Sequence, residues 1–219
     1  MNIPIKNKSL LETALTHRSY LNENRSVKEH NERLEYLGDA VVELAVSEFL
    51  FEKYPKRPEG ELTAIRSAMV RTETLAKVAE RLDFGLSLRM SKGEAASGGR
   101  SNTALLANTF EAVIGAMYLD QGFQKVIDFL KENLFPEADE IVENGSFKDF
   151  KSTLQEVVQA EGKSTPEYQV VSEKGPDHDK IFTVMVKVEK QELATGKGKS
   201  KQSAQQQAAA RALEKLKVS

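Results

Sequence analysis

The stretch NERLEYLGDAVVEL, residues 31–44, carries four carboxylates, Glu32, Glu35, Asp39 and Glu43, on what its apolar spacing marks as one helix. Carboxylates repel one another, so a row of them needs a reason. At about 100° per residue, Glu35, Asp39, Glu32 and Glu43 fall within about 80° of one another. Leu34, Leu37, Val41 and Leu44 fall on the other flank. A solvated acidic face is the ordinary explanation, and two features argue against it. No Lys or Arg follows at four-residue spacing to relieve the repulsion. Val42 and Val46 fall beside Glu35 and Asp39, which puts these acids at the border of the core. Carboxylates crowded near low dielectric call for a cation. A hard divalent ion such as Mg²⁺ takes one or two carboxylates and keeps several waters. Gly38 weakens the helix by roughly 1 kcal/mol against Ala, so its presence points to another backbone packed against it.

A second segment supplies the complement. LLANTFEAVIGAMYLD, residues 105–120, is strongly apolar, yet Asn108 and Glu111 share one of its faces. A lone Glu in such a helix is not expected to be buried unpaired. Two helices offering oxygen ligands from apolar faces could cross to form a metal site.

Around these segments the chain reads as helical up to about residue 142. Leu62, Ile65 and Met69, then Leu75, Val78, Ala79 and Leu82, recur at helical spacing. Breakers fall at YPKRPEGE (54–61), SKGEAASGGRSN (91–102) and DQGF (120–123). Residues 143–147 read as a linker. After it the pattern changes: a helix ending at Gly162, alternating stretches EYQVVSEK and KIFTVMVKVEK about the turn composition GPDHD, a short strand QELATGKG, and a final helix rich in Ala, Gln and Leu. The expected fold class is mainly α: an all-helical domain over 1–142, then a small α+β domain of order α-β-β-β-α over 148–219.

Composition narrows the function. A chain of 219 residues with 40% hydrophobic and 29% charged residues is ordinary for a globular protein. No cysteine is present, which removes disulfides, thiolate zinc sites and cysteine nucleophiles. No apolar run approaches the roughly 20 residues that span a bilayer, and the N-terminus lacks a signal-peptide core. A cytoplasmic location without membrane association is the expectation. The net charge of −2 hides an asymmetry. Residues 148–219 hold 13 Lys and Arg against 10 Asp and Glu, a surplus of three; the remainder of the chain carries a deficit of five. An acidic front and a mildly basic back suggest two jobs.

NERLEYLGDAVVEL resembles the signature of bacterial ribonuclease III, a Mg²⁺-dependent endonuclease specific for double-stranded RNA. ALTHRSY (14–20), EGELTAIRSAMVR (59–71) and SGGRSNTALLANTFEAVIGAMYLDQG (97–122) agree with it, and the resemblance extends over the C-terminal double-stranded RNA-binding domain. It implies metal ligands at Glu35, Asp39 and Glu111, with Asp39 and Glu111 central to catalysis. The fourth position, normally Asp, is Asn108, which can offer a carbonyl oxygen but no charge. The resemblance further implies hydrolysis by water to 5′-phosphate and 3′-hydroxyl ends, Mn²⁺ as a substitute for Mg²⁺, a homodimer through the helical domain, no small-molecule cofactor, and processing of ribosomal precursors. The alternative is a regulator that grips duplex RNA with weak or no cleavage, because Asn108 stands where Asp is usual. Glu61, Glu94, His17 and His30 read as helix-start, loop, hydrogen-bonding and cap residues.

In the C-terminal domain the resemblance places RNA contacts at Gln155 and Glu156 on the first helix and at Pro176 and His178 in the turn after the first strand. Lys197, Lys199 and Lys201 then stand beside the last helix's N-terminus, a natural place for phosphate. The family usually shows further lysines where Gln202 and Gln205 stand here. Fewer charges mean fewer released counterions and a flatter salt dependence.

Overall fold

The computed structural model describes residues 3–176 and 180–218. The chain divides into two units, Met1–Phe147 and Lys148–Ser219. In the first, helices α1 (Lys8–Ala14), α2 (Glu32–Lys53), α3 (Glu59–Val70), α4 (Thr72–Arg81), α5 (Phe84–Ser87), α6 (Lys92–Ala96), α7 (Thr103–Gln121), α8 (Phe123–Asn133) and α9 (Glu137–Glu143) follow one another. Among the described residues no helix is long and apolar enough to cross a membrane.

α7 is the centre of this unit. Leu106, Phe110, Val113, Ile114 and Met117 are all buried, and so is the Thr109 hydroxyl-bearing side chain, which donates back to Leu105 O at 2.6 Å. A helix apolar over most of its circumference belongs in the interior. α2 lies directly against it. A methyl group at Gly38 would run into the Glu111 carbonyl oxygen, and one at Gly115 would run into that of Leu34. The two glycines thus let the helices approach backbone to backbone, as Gly38 foretold. The inward arc of α2 is Leu34, Gly38, Val41, Val42, Ala45 and Val46. Leu44 is 59% exposed, because the close crossing selects the small residues and turns the leucine outward.

Residues 143–147 stay with the first unit. Glu143 closes α9, and Phe147 is buried in the helical core. α9 is tied to α4 by Glu137, whose carboxylate accepts from Lys77 Nζ and from Arg81 Nη1, each at 2.9 Å.

The second unit is α10 (Phe150–Ala160), β1 (Glu167–Lys174), β2 (Ile181–Val188), β3 (Gln191–Gly198) and α11 (Lys201–Val218). The strands form an antiparallel sheet in the order β1-β2-β3. Leu154 and Val158 of α10, Val186 and Val188 of β2, and Ala208, Ala209 and Ala212 of α11 make its core. Alanines on α11 allow close packing on the strands. Gly196 shows the same constraint, since a methyl there would strike the Ala208 backbone nitrogen.

Candidate functional site

Glu35 and Asp39 stand one turn apart on α2, and Asn108 and Glu111 one turn apart on α7. The Gly38 crossing joins the two pairs, because it presses α2 onto the backbone of Glu111 itself. α7 is set at its start by Asn102, whose Oδ1 accepts from Leu105 N at 3.1 Å. Arg100 anchors the preceding loop: its Nη1 donates to the carbonyls of Gly85, Leu86 and Leu88 at 2.7, 3.1 and 3.1 Å. The GGRSN segment thereby fixes where Asn108 and Glu111 emerge, a role that motif reading did not assign.

The electrostatics identify a crowded acidic cluster. Burial pushes the Glu111 carboxyl up from its ordinary 4.5 to about 7, with the charges of Asp39 and Glu35 adding to the effect. Glu35 is also raised, by burial first, then by the charges of Glu32 and Asp39; a hydrogen bond from the Asn108 side chain works the other way. Asn108 and Glu111 are half-buried and Asp39 is exposed. Among the described residues, none of the three acids forms an ion pair with Lys, Arg or His. Among the described residues no three His, Asp or Glu side chains stand close enough together to hold a metal ion, so Glu35, Asp39 and Glu111 neighbour one another without being drawn into a ligand set. The donors of this cluster are carboxylate oxygens and one carboxamide oxygen, all hard, and they face a shortage of positive charge. The chemistry of that donor set suits a hard divalent cation.

The neighbouring polar residues have local partners. Glu32 pairs with Arg18 at 3.5 Å. Glu61 accepts from Arg57 Nη1 at 2.6 Å, one turn away on the approach to α3. Glu94 lies in the first turn of α6, not in a loop, and its N–H donates to Ser91 Oγ at 3.1 Å. His17 caps a 3-10 turn, with Nδ1 2.8 Å from Ser19 Oγ. His30 Nδ1 stands 3.9 Å from Glu32 Oε2.

In the second unit Gln155 and Glu156 are exposed on α10, on the face away from Leu154 and Val158. Pro176 is exposed just past β1, and His178 lies outside the described residues. Lys197, Lys199 and Lys201 are exposed around the β3–α11 junction. The Lys197 N–H donates to Gln207 Oε1 at 2.7 Å, which holds the end of β3 to α11. Gln205 accepts from Lys151 Nζ at 2.8 Å, and Gln206 bonds Asp149 Oδ1 at 2.9 Å and the Lys151 N–H at 3.3 Å. These glutamines dock α10 against α11, a use the charge count had not suggested.

Residues 7–138 match the family model described as Ribonuclease-III-like, and residues 150–216 match the Double-stranded RNA binding motif. The chain belongs to the ribonuclease III family. The Ribonuclease 3 of Geobacillus kaustophilus is 50% identical to it over 222 residues, spanning 100% of this chain and 89% of that protein. Among solved structures, a ribonuclease III nuclease domain from Campylobacter jejuni, described for flexibility in a region involved in dimer formation, has 42% identity. It covers 60% of this chain and 90% of its own, with a TM-score of 0.54. The Dicer of Pichia stipitis matches at 27% identity and a TM-score of 0.50, over 97% of this chain and 98% of its own. This ribonuclease III thus joins a helical nuclease domain to a double-stranded RNA binding motif, and the acidic cluster lies within the nuclease match.

Proposed function

We propose that this ribonuclease III is a Mg²⁺-dependent endoribonuclease that cuts double-stranded RNA to 5′-phosphate and 3′-hydroxyl ends, with Glu35, Asp39, Asn108 and Glu111 as the metal-holding set. The observation that carries this reading is the raised Glu111, half-buried beside Asp39 and Glu35 with no cationic partner among the described residues. A bound divalent cation supplies Lewis acidity towards water and the phosphate, and Mn²⁺ can take its place. Glu35 and Glu111 hold their oxygens at the edge of the core, where carboxylates are least hydrated. Asp39 brings a third charge from the solvent side. Asn108 contributes a carbonyl oxygen while its amide steadies Glu35. No side-chain nucleophile is needed, and water serves.

An acidic site repels RNA, so the duplex must be held elsewhere. Gln155 and Glu156 suit ribose hydroxyls in the shallow minor groove, Pro176 and His178 a second groove, and Lys197, Lys199 and Lys201 the phosphates between. Two strands need two centres, which a two-fold homodimer provides. Tyr36, Leu44 and Phe51 lie 84%, 59% and 73% exposed along α2, and such an apolar stripe supports self-association through the helical domain. The substrates proposed are cytoplasmic RNAs, ribosomal precursors among them.

The test is a labelled RNA duplex incubated with the chain in Mg²⁺ and, separately, in chelator. Fragments that appear only with Mg²⁺ are expected. Retention of the duplex without fragments in either condition would establish instead a binding regulator, silenced at Asn108.

A further inference from the structure

Lys201, the first residue of α11, is already engaged within the domain. Its Nζ lies 3.6 Å from Glu173 Oε1 and 5.8 Å from the centre of the Phe182 ring. Glu173 is the register partner of Phe182, and Phe182 that of Gly198. A single row across the sheet, Glu173–Phe182–Gly198, therefore leads to the β3–α11 junction where Lys197 and Lys199 also stand. Gly198 lets α11 begin close to this row, since a methyl there would strike Ser203 Oγ. Ser200 fixes the first turn by accepting from Ser203 N at 3.1 Å.

We propose that Glu173 is a positioning residue that competes with RNA phosphate for Lys201 and thereby weakens duplex binding and flattens its salt dependence. This rests on the RNA-binding reading given above. In the free chain the carboxylate and the Phe182 face orient the ammonium. The pair is exposed, at 60% and 40% of the two side chains, so it is cheaply broken and the lysine stays available. The carboxylate nevertheless remains beside the incoming phosphate. Its charge must then be met by a cation taken up from solution, which cancels part of the counterion release that drives binding. Gln202 and Gln205, close by on α11, bring no charge that would mask the effect.

The experiment measures binding of the full chain to a labelled RNA duplex somewhat longer than the roughly 16 base pairs such a domain spans. Chelator is present throughout, and affinity is followed across a salt series. Glu173→Gln is expected to bind about two- to five-fold tighter at low salt, the scale of an exposed ion pair. Its log-affinity slope against log salt should steepen by up to about 0.9, one phosphate's worth. Glu173→Asp, which keeps the charge, should fall closer to wild type. Glu214→Gln removes the same charge roughly 20 Å along α11 and should leave the slope unchanged. An unchanged slope in Glu173→Gln, or an equal gain in Glu214→Gln, overturns the inference while the RNA-binding reading stands. A wild-type chain that ignores the duplex at every salt concentration overturns both. Thermal melting of the variants separates these outcomes from misfolding.

Discussion

Replacing Glu111 with Gln tests the acidic cluster twice, once without metal and once with it. The carboxyl of Glu111 is pushed from 4.5 to about 7 by burial and by the charges of Asp39 and Glu35. Its protonated form therefore favours the folded chain. That contribution is fully present below about pH 4.5 and is lost as pH rises towards about 7, because the folded state binds the proton more tightly than the unfolded one. The shift corresponds to about 3.5 kcal/mol before screening, at roughly 1.4 kcal/mol per pH unit. Glu111 is only half-buried, and solvent screening reduces this to about 1–2 kcal/mol. Gln is a near-isostere of the protonated acid and does not titrate. In chelator, Glu111→Gln should match wild type near pH 4.5 and exceed it by about 1–2 kcal/mol at pH 8, or about 3–8 °C in melting temperature.

Adding Mg²⁺ should reverse the order at pH 8. Wild type should gain melting temperature with metal concentration, since a ligand that binds only the folded chain stabilises it. The variant should gain little and should lose duplex cleavage while keeping RNA affinity. Denaturation curves at the two pH values, with and without metal, provide the measurement. A variant that is no more stable than wild type at pH 8 in chelator would refute the crowded-carboxylate reasoning. Undiminished cleavage would remove Glu111 from the chemistry.

Three other perturbations address the surrounding structure. Gly38→Ala should cost about 3 kcal/mol, the upper end for overpacking, because the obstacle is the Glu111 backbone; a melting temperature within error of wild type would contradict the close crossing. Asn108→Asp should raise activity at limiting Mg²⁺ and lower stability in chelator by adding a like charge beside Glu35, and an unmoved metal-titration midpoint would show that position 108 is no ligand. Burial opposes ionisation of Glu137, but hydrogen bonds from Arg81 and Lys77 prevail and lower its pKa. Its contribution is therefore present above about pH 4.5 and lost in acid, so Glu137→Gln should cost about 1–2 kcal/mol at neutral pH and progressively less as pH falls.

Much of the architecture was legible because each element states its own periodicity. EYQVVSEK and KIFTVMVKVEK alternate in the manner of strands, and β1 and β2 fall within them; QELATGKG is β3, although Leu193 and Ala194 are buried side by side where its register with β2 shifts. The acidic pair on α2 was legible for the same reason, together with its expected partner backbone, since a glycine in an apolar helix has few other uses. Periodicity fails where packing selects among equivalent faces. Leu44 belongs to the apolar flank of α2 by angle, yet the close approach of α7 favours Gly38 and Ala45 and leaves the leucine outside. It fails again where a polar residue's partner is distant in sequence. Nothing local distinguishes Gln205 as an acceptor for Lys151, or Arg100 as the tie for three carbonyls around α5.

The placement of Glu111 ties the proposed metal site to the packing of the fold. A carboxylate within an interior helix is costly unless a charge meets it or a proton neutralises it. Here the packing that secures the fold, Gly38 against Glu111 and Gly115 against Leu34, is also what carries Glu35 and Asp39 to Glu111's side. Separating the helices would relieve the repulsion but would open the central contact of the first core. The repulsion is thus retained by packing, and a divalent cation entering the cluster gains what the folded chain could not otherwise release. Metal binding and helix packing should accordingly be coupled. In Gly38→Ala the metal-dependent rise in melting temperature should shrink along with the basal stability, whereas a substitution in a remote part of the same core, such as Leu130→Ala, should lower basal stability and leave the metal-dependent rise intact. Equal metal responses in the two variants would show that the crossing and the acidic cluster are independent.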